Sequence, residues 1–229
     1  MVKSNGSKYW QSYFEEKAQN EKDIYKRVGF VSKENTDLVR ETIRNIIGSP
    51  KDLKIIDAGC GDGMVLSHLT ESNEVWGIDF SYNMLTLAKE QGLHPVCCDM
   101  SLLPFKENSL DIAVSVEAVT LLPNPIKVIE DISDCIKPGG SIVLSVLNKK
   151  SIVRFFAGWL YRILGRAKLP NTVSLPELED HLSNKNCTIK DIVFIYWLPF
   201  MYLRSSGFGL TSLKLLLANN IIIKASKDL

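Results

Sequence analysis

Short apolar runs alternate with longer amphipathic stretches through the middle of the chain. The apolar runs predict five strands, at residues 53–57, 74–78, 95–98, 109–114 and 141–147. The stretches between them predict helices at 63–70, 81–90 and 125–135, with Ser81 and Asn124 as N-caps. Strands that alternate with helices in this way are typical of βαβ units, and therefore of a parallel sheet with helices on both faces.

The flanking regions have a different pattern. Residues 8–47 are helical in character, with a break near Gly29 and 32–35. Beyond residue 150 the pattern predicts helices at 151–165 and 176–183. It also predicts strands at 188–197 and 220–226, with an irregular or partly helical link between them. We predict one domain, made of an N-terminal helical cap (1–49), a core (50–147), a helical lid (148–185) and C-terminal strands (186–229).

Composition narrows the class of protein. A chain of 229 residues is long enough for one α/β domain, and its net charge of +1 gives no general electrostatic case for a nucleic-acid partner. The longest apolar run, 192–203, is far shorter than the ~20 residues of a membrane-spanning helix. No secretory signal is recognisable, the cysteines form no CxxC pair, and the histidines lack metal-ligand spacing. We expect a cytoplasmic protein without a metal, either monomer or homodimer. Weak contact with a membrane surface is left open as an alternative.

A glycine turn follows the first predicted strand directly. Gly59, Gly61 and Gly63 occupy alternate positions there. Glycine accepts positive φ and lets a ligand approach the backbone closely. The N-terminus of the helix predicted to follow would favour a polar or anionic ligand.

Three of the predicted strands end in aspartate, at Asp57, Asp79 and Asp99. Ligands of parallel sheets bind outside the carboxyl ends of the strands. Asp79 follows Gly59 by twenty positions, and an acidic residue there can accept both hydroxyls of a ribose. The dinucleotide pattern expects a small residue where this chain has Met64, which weighs against an NAD-dependent oxidoreductase. A different nucleoside-containing cofactor is therefore predicted.

These segments resemble the class I methyltransferases that use S-adenosylmethionine (SAM), in particular the ubiquinone/menaquinone-type group. The matching motifs lie in order at 55–63, 75–85, 98–105, 109–113 and 137–140. The resemblance covers roughly residues 50–147. It implies a Rossmann-like α/β fold with a mostly parallel, seven-stranded sheet, and SAM as cofactor with S-adenosylhomocysteine as product.

The resemblance also implies roles for single residues. Asp57 would lie near the amino group of the SAM methionine, Gly59 and Gly61 would let the backbone approach the cofactor, and Asp79 would bind the ribose. The methionine side would be completed by two residues just past strand four, Ser115 and Val116. Of the remaining polar residues, Asp62 reads as a helix cap and Asp111 as structural.

The adenine would lie among four further residues. Phe80 and Met84 would border the ring, although both could equally be core residues. Asp99 would accept from the adenine amino group, with the backbone N–H of Met100 nearby.

The catalytic step needs little from the protein beyond alignment, because the methyl group of SAM is already activated on a sulfonium. Many relatives carry a histidine after strand four, where this chain has leucine. Glu117 in that segment is the candidate base, with a merely solvated or capping carboxylate as the alternative. The missing histidine leaves a second interpretation open, a non-catalytic SAM-binding sensor or partner subunit.

Aromatic residues indicate two candidate acceptor regions. The N-terminal helix carries Tyr9, Trp10, Tyr13 and Phe14. The segment 151–170 carries Phe155, Phe156, Trp159 and Tyr161 beside Arg154 and Arg162. A lid of this composition suits an apolar or anionic small-molecule acceptor, whereas the alternative is a helix that only packs on the domain.

Overall fold

The computed structural model describes residues 5–28, 33–163, 170–198, 201–206 and 211–229. Helices α1 (Asn5–Asn20), α2 (Ile24–Arg27) and α3 (Lys33–Ile47) form the N-terminal region. The predicted break at Gly29 lies outside the described residues, and α3 already includes 33–35. A further break at residues 21–23 separates α1 from α2.

The sheet is mostly parallel, as predicted. Its strands are β1 (Lys54–Ala58), β2 (Glu74–Asp79), β3 (His94–Cys97), β4 (Leu110–Val116), β5 (Ile136–Leu147), β6 (Cys187–Leu198), β7 (Met201–Ser206) and β8 (Asn220–Lys227). The strand order is β3-β2-β1-β4-β5-β8-β6-β7. Strands β1 to β5 pair in parallel, whereas β8 runs antiparallel to both β5 and β6.

The described sheet has eight strands, because β7 lies in the link that the sequence predicted as irregular or partly helical. It pairs antiparallel with β6 at the sheet edge. The remaining helices are α4 (Tyr82–Glu90), α5 (Pro125–Cys135), α6 (Ile152–Ile163), α7 (Leu175–Asn184) and α8 (Thr211–Leu217). The two predicted caps are confirmed, since Ser81 Oγ accepts from Met84 N at 3.2 Å and Asn124 Oδ1 from Lys127 N at 3.3 Å.

The predicted helix at 63–70 is wrong. This stretch consists of turns and one short 3₁₀ segment at Ser67–Leu69. Gly63 closes a tight turn onto the carbonyl of Cys60 and has a φ of 78°. A Cβ there would lie 2.9 Å from Ala88 Cα, so this turn packs closely against α4. The helix whose dipole was expected at the glycine turn does not form at 63–70, and Asp62 caps a turn through Met64 N rather than a helix.

The core consists of two apolar clusters, one on each face of the sheet. Successive strand residues point to opposite faces, so Ile55 packs with α3 and α4 whereas Ile56 packs with α5 and α7. Asp111, at the end of the sheet remote from the glycine turn, accepts from Lys54 N at 2.8 Å and Lys137 Nζ at 2.7 Å. These contacts bear out its structural interpretation.

Candidate active site

A cavity of about 350 Å³ opens at the carboxyl ends of β1, β2 and β4. Its volume falls in the ~300–1,000 Å³ range of small-molecule sites. Helix α1 covers one side. It is fixed there by Gln11, which donates to the Phe80 carbonyl at 2.9 Å, and by Glu15, which accepts from the backbone N–H of Tyr82 at 2.8 Å. The first turn of α4 and the N-terminal helix therefore hold each other over the sheet.

Most of the residues singled out from the sequence meet at this cavity. Its wall includes Tyr9, Trp10, Tyr13, Asp57, Gly59, Gly61, Asp79, Phe80, Val116 and Glu117. The aromatic rings of α1 contact one another, and Phe14 meets Phe80 edge-on with ring centroids 6.4 Å apart. Segments that lie more than a hundred positions apart in the chain thus share one wall.

Three predicted cofactor residues lie within the core instead. Met84 is fully buried, so the structure favours its alternative interpretation as a core residue. The side chain of Met100 is also buried and lies beside Gly59, whereas the predicted contact of its backbone N–H with adenine stays a prediction. Ser115 belongs to β4 rather than to the segment past it, and its buried hydroxyl donates to the Ala58 carbonyl at 2.7 Å.

Asp99 does not line the cavity either. Its Oδ1 accepts from both the N–H of Ser101 at 3.0 Å and the hydroxyl of Ser101 at 2.8 Å. This is a turn interaction within the segment after β3. Its contact with adenine stays a prediction.

The two aromatic residues predicted to contact the acceptor from α6 point away from the cavity. Phe155 is 70% exposed and Trp159 is 60% exposed. A helix places residues four apart on one side, and here that side faces outward, so these side chains form no lid. The two ends of the segment that contains α6 do reach the cavity, because Leu147 and Pro170 line it. The side chains of Tyr161 and Arg162 lie outside the described residues.

The sequence did not single out every residue of the cavity wall. Added by the structure are Val28, Arg40, Cys60, Asp62, Val65, Ala118, Leu121, Leu147 and Pro170. Ala118 and Leu121 belong to the same segment as Glu117, so their position could have been inferred. Arg40 comes from the middle of α3, and only the packing of that helix against the sheet brings it to the site.

Asp79 is held by the backbone. Its Oδ2 accepts from Gly61 N at 3.0 Å and its Oδ1 from Ser81 N at 2.9 Å. Burial raises the pKa of Asp79 to about 6, against the lowering effect of these bonds. The carboxylate fixes the glycine turn and retains further lone pairs for a ligand.

Asp57 is the more exceptional of the two carboxyl groups. It is 1% exposed, and burial, reinforced by the charges of Asp79 and Asp62, raises its pKa to about 7. Its Oδ2 has no hydrogen-bond partner among the described residues. A buried oxygen without a partner is costly, so a cationic ligand group at the cavity wall would relieve it.

A positively charged group stands on the same wall. Arg40 Nη2 lies 4.0 Å from Asp62 Oδ1, and Arg27 Nη1 lies 3.8 Å from Asp62 Oδ2. The Nε of Arg40 is buried and, within the described part of the chain, unpaired. An unpartnered carboxylate oxygen and an unpartnered guanidinium N–H on one wall match the ammonium and carboxylate of an amino acid. The residues present therefore fit the methionine end of SAM.

Gly59 has a structural role besides access for a ligand. Its φ is 80°, and a Cβ there would lie 2.1 Å from Ala118 Cβ and 2.9 Å from Met100 Cε. The turn after β1 is thus pressed against the segment after β4. The residue must be glycine for the cavity to keep its shape, whichever ligand binds.

Glu117 is held in a strained conformation at the end of β4. Its φ of 57° lies in the left-handed region, which costs a non-glycine residue ~1–3 kcal/mol. Its N–H donates to the Ser145 carbonyl at 2.8 Å, and its carbonyl accepts from the Thr120 hydroxyl at 2.7 Å. The carboxylate accepts from Asn220 Nδ2 and faces the charge of Arg154.

Burial raises the pKa of Glu117 to about 7, while Arg154 and Asn220 act in the opposite direction. A carboxyl group with a pKa near neutrality, placed at a cavity wall, can exchange a proton with a bound molecule.

In the described part of the chain, no three His, Cys, Asp or Glu side chains lie together as a metal site would require. None of the helices described is long and apolar enough to cross a membrane.

Comparison with known proteins gives a consistent picture. A family profile described as a methyltransferase domain matches residues 56–144. A ubiquinone biosynthesis O-methyltransferase of Coxiella burnetii is 28% identical over 122 residues, covering 50% of each chain. A demethylmenaquinone methyltransferase of Staphylococcus aureus is 32% identical over 135 residues, covering 55% of this chain and 56% of the relative. The chain thus spans about half the length of the curated relatives it matches.

A solved structure extends the likeness of the fold to nearly the whole chain. The magnesium protoporphyrin IX methyltransferase of Synechocystis PCC 6803, crystallised with S-adenosylhomocysteine, superposes with a TM-score of 0.70 at 16% identity. The match covers 98% of this chain and 100% of that one. At this identity the likeness concerns the fold alone.

Proposed function

We propose that this chain transfers a methyl group from SAM to a small-molecule acceptor. The chain belongs to the class I SAM-dependent methyltransferase family. One observation carries the proposal. The cavity beside the glycine turn combines Asp79, suited to a ribose, with unpartnered polar atoms of Asp57 and Arg40, suited to an amino acid. SAM contains both groups.

The cofactor would be held from two sides. Asp57 would accept from the ammonium of the methionine and Arg40 would donate to its carboxylate, so that each unpartnered atom gains a partner. Asp79 would accept from the ribose hydroxyls, and Phe80 would cover the adenine side. When bound, SAM supplies a methyl group on a positively charged sulfur, activated for in-line displacement.

The acceptor would occupy the part of the cavity bordered by α1, Glu117, Leu121 and Pro170. Tyr9, Trp10 and Tyr13 would provide apolar contact and exclude water. Glu117 would take the acceptor's proton on its carboxylate, and Asn220 would orient that carboxylate. Alignment of this kind supplies up to ~7–11 kcal/mol of barrier reduction, and a positioned base adds ~10²–10⁴-fold in rate.

An apolar acceptor suits this wall better than a highly charged one, because aromatic and aliphatic residues dominate it on the side of α1. Two relatives are named for ubiquinone biosynthesis and for demethylmenaquinone, which supports the same class of acceptor. We further propose that the protein works in the cytoplasm, as a monomer or homodimer.

Calorimetry with SAM and with S-adenosylhomocysteine tests the cofactor. We expect both to bind the wild-type protein, and 5′-methylthioadenosine, which lacks the amino-acid end, to bind more weakly. Replacement of Arg40 by Met should weaken binding of SAM but leave that of 5′-methylthioadenosine unchanged. If neither SAM nor its product binds, the proposed function is wrong.

The absence of the expected histidine favours a second candidate, a SAM-binding protein without catalysis. Incubation with SAM labelled in the methyl group and a metabolite extract separates the two. Label transfer that is lost in Glu117→Gln, while SAM still binds, supports the enzyme. SAM binding with no transfer to any extract supports the sensor or partner subunit.

A further inference from the structure

Helix α6 carries an apolar stripe on the wrong side for a core helix. Ile152, Phe155, Phe156 and Trp159 follow the i, i+3, i+4, i+7 spacing that normally packs against a core. All four are exposed, and Phe155, Phe156 and Trp159 are 70%, 59% and 60% exposed. Burial of such side chains is worth ~1.5–3 kcal/mol each, so a helix leaves them open only where something else covers them.

The neighbouring helix repeats the arrangement. Leu213, Leu216 and Leu217 of α8 are spaced i, i+3, i+4 and are also exposed. Helices α6 and α8 contact each other. We call these seven exposed residues of α6 and α8 the α6–α8 face.

The segments that contain this face lack acidic residues. Between 148 and 176 the sequence has six lysines and arginines and no aspartate or glutamate. Between 192 and 227 it has four and none. The whole chain is nearly balanced, with 27 basic and 26 acidic residues, so this exclusion is local. Lys149 and Lys150 are exposed just before α6; Lys149 Nζ lies 3.8 Å from Glu177 Oε2, just beyond this segment.

We propose that the α6–α8 face binds the surface of an anionic lipid bilayer. An exposed helical face of phenylalanine, tryptophan and leucine with basic flanks matches the apolar boundary and negative headgroups of such a surface. A second copy of this chain fits less well. A symmetric dimer through this face would bring two basic, acid-free segments together, and like charges would oppose it.

The segment that contains α6 borders the cavity at its two ends. Leu147 and Pro170, before and after α6, line the cavity wall, and Arg154 of α6 faces Glu117. A bilayer bound at the α6–α8 face would therefore lie beside the cavity. If the proposed function holds, the acceptor is a lipid-soluble molecule that leaves the bilayer next to Glu117.

Flotation with two kinds of vesicle tests the inference. One kind is phosphatidylcholine alone, and the other is phosphatidylcholine and phosphatidylglycerol in equal parts. We expect the wild-type protein to bind the mixed vesicles and to bind the neutral ones weakly. The double variant Phe155→Ser, Trp159→Ser should bind the mixed vesicles at least about tenfold more weakly.

Two single variants separate apolar from electrostatic contact. Lys150→Glu should weaken binding to the mixed vesicles by about tenfold and leave binding to neutral ones unchanged. Tyr82→Ser is the matched control, since Tyr82 is 69% exposed on α4, away from the α6–α8 face, and should bind vesicles like the wild type. Circular dichroism and SAM calorimetry verify that each variant is folded.

The inference is overturned if the double variant binds mixed vesicles as the wild type does. It is also overturned if the wild type ignores vesicles and instead dimerises, or captures an acidic carrier protein, through the same residues. A protein that binds SAM but no vesicle contradicts only this inference, whereas one that binds vesicles but no SAM contradicts only the proposed function.

Discussion

The two sides of the cavity are built in different ways. On the side of β1 and β2, the key carboxylate, Asp79, accepts two backbone N–H groups, and glycines pack without room for a side chain. On the side of Glu117, the carboxylate is held by one side-chain amide, from Asn220. The remaining wall comes from α1, from the ends of β4 and β5 and from Pro170. Backbone contacts form one side, whereas side chains from distant segments form the other.

This difference corresponds to what each side would bind. A rigid turn, which tolerates few substitutions, suits a ligand that does not vary. An acceptor that differs between relatives requires a wall that can vary without disturbing the sheet. Helices and single side chains provide that freedom, since they can be replaced while the strand order stays the same.

Replacement of Glu117 by Gln should give the largest effect and isolate the acceptor side. We expect methyl transfer to fall by ~10²–10⁴-fold while the affinity for SAM stays the same, because the amide keeps the shape but cannot take a proton. In the wild type the rate should rise with pH to a plateau above about 7, since the carboxyl must be ionised to act as a base. A pH–rate profile and single-turnover rates measure both, and an unaltered rate in the variant would remove Glu117 from the chemistry.

Replacement of Asp79 by Asn should isolate the cofactor side. The affinity for SAM should fall by about a hundredfold, because hydrogen bonds to a charged group are worth ~1.5–3 kcal/mol each. Calorimetry provides the measurement. Asp111→Asn is the control, since Asp111 lies at the opposite end of the sheet and accepts from Lys54 and Lys137. Equal losses in the two variants would mean that instability, rather than ligand contact, explains the result.

A pair of glycine substitutions would measure the rigidity of the turn. Gly59 and Gly48 both have positive φ, 80° and 73°, but only Gly59 has atoms where a Cβ would lie. Alanine should cost ~1–2 kcal/mol at Gly48 from backbone strain alone, and ~1–3 kcal/mol more at Gly59 from overpacking. Urea unfolding gives both values. Similar losses at the two sites would show that the turn can relax away from Ala118.

The smallest expected effect concerns pH and the ammonium of SAM. With a pKa of about 7, Asp57 is protonated below neutrality and must lose a proton before it can pair with the ammonium. The affinity for SAM should therefore be flat above about pH 7 and fall by up to about tenfold per unit below it. Asp57→Asn should bind SAM weakly and lose the change centred near pH 7, keeping only the smaller change near pH 6 that Asp79 causes. A variant that retains the wild-type pH dependence would exclude Asp57 as its source.

The contrast between the two sides of the cavity also explains which site residues could be predicted from the sequence. The cofactor side lies between β1 and β4, in motifs whose order and spacing are visible along the chain, so Asp57, Gly59, Gly61 and Asp79 were found. Residues such as Arg40 and Asn220 reach the site only through packing, and Asn220 is 103 positions from its partner Glu117. No local pattern contains that information.

Helical spacing was also recognised correctly on α6, but the sequence left open which way its apolar side faces. The positions of Phe155 and Trp159 predict a helix with one apolar side, which the structure has. Periodicity does not say whether that side faces the protein or the surroundings. The predicted helix at 63–70 failed for another reason, because Gly63, which was predicted to open it, has a φ of 78° and lies outside the right-handed helical region.

The segment that contains α6 begins and ends at neighbouring positions of the domain. Asn148 and Val173 form a parallel bridge, Lys149 N donates to the Val173 carbonyl at 3.0 Å, and Val173 N donates to the Leu147 carbonyl at 2.9 Å. The buried amide of Asn148 also donates to the carbonyls of Leu215 and Ala218, at 2.6 Å and 2.8 Å. Asn171 is held as well, since its N–H donates to the Thr120 carbonyl at 2.7 Å. Residues 149–170 therefore form a segment that can be exchanged between two fixed ends. Grafting the equivalent stretch from a relative between Asn148 and Asn171 should change the acceptor without rebuilding the cofactor pocket.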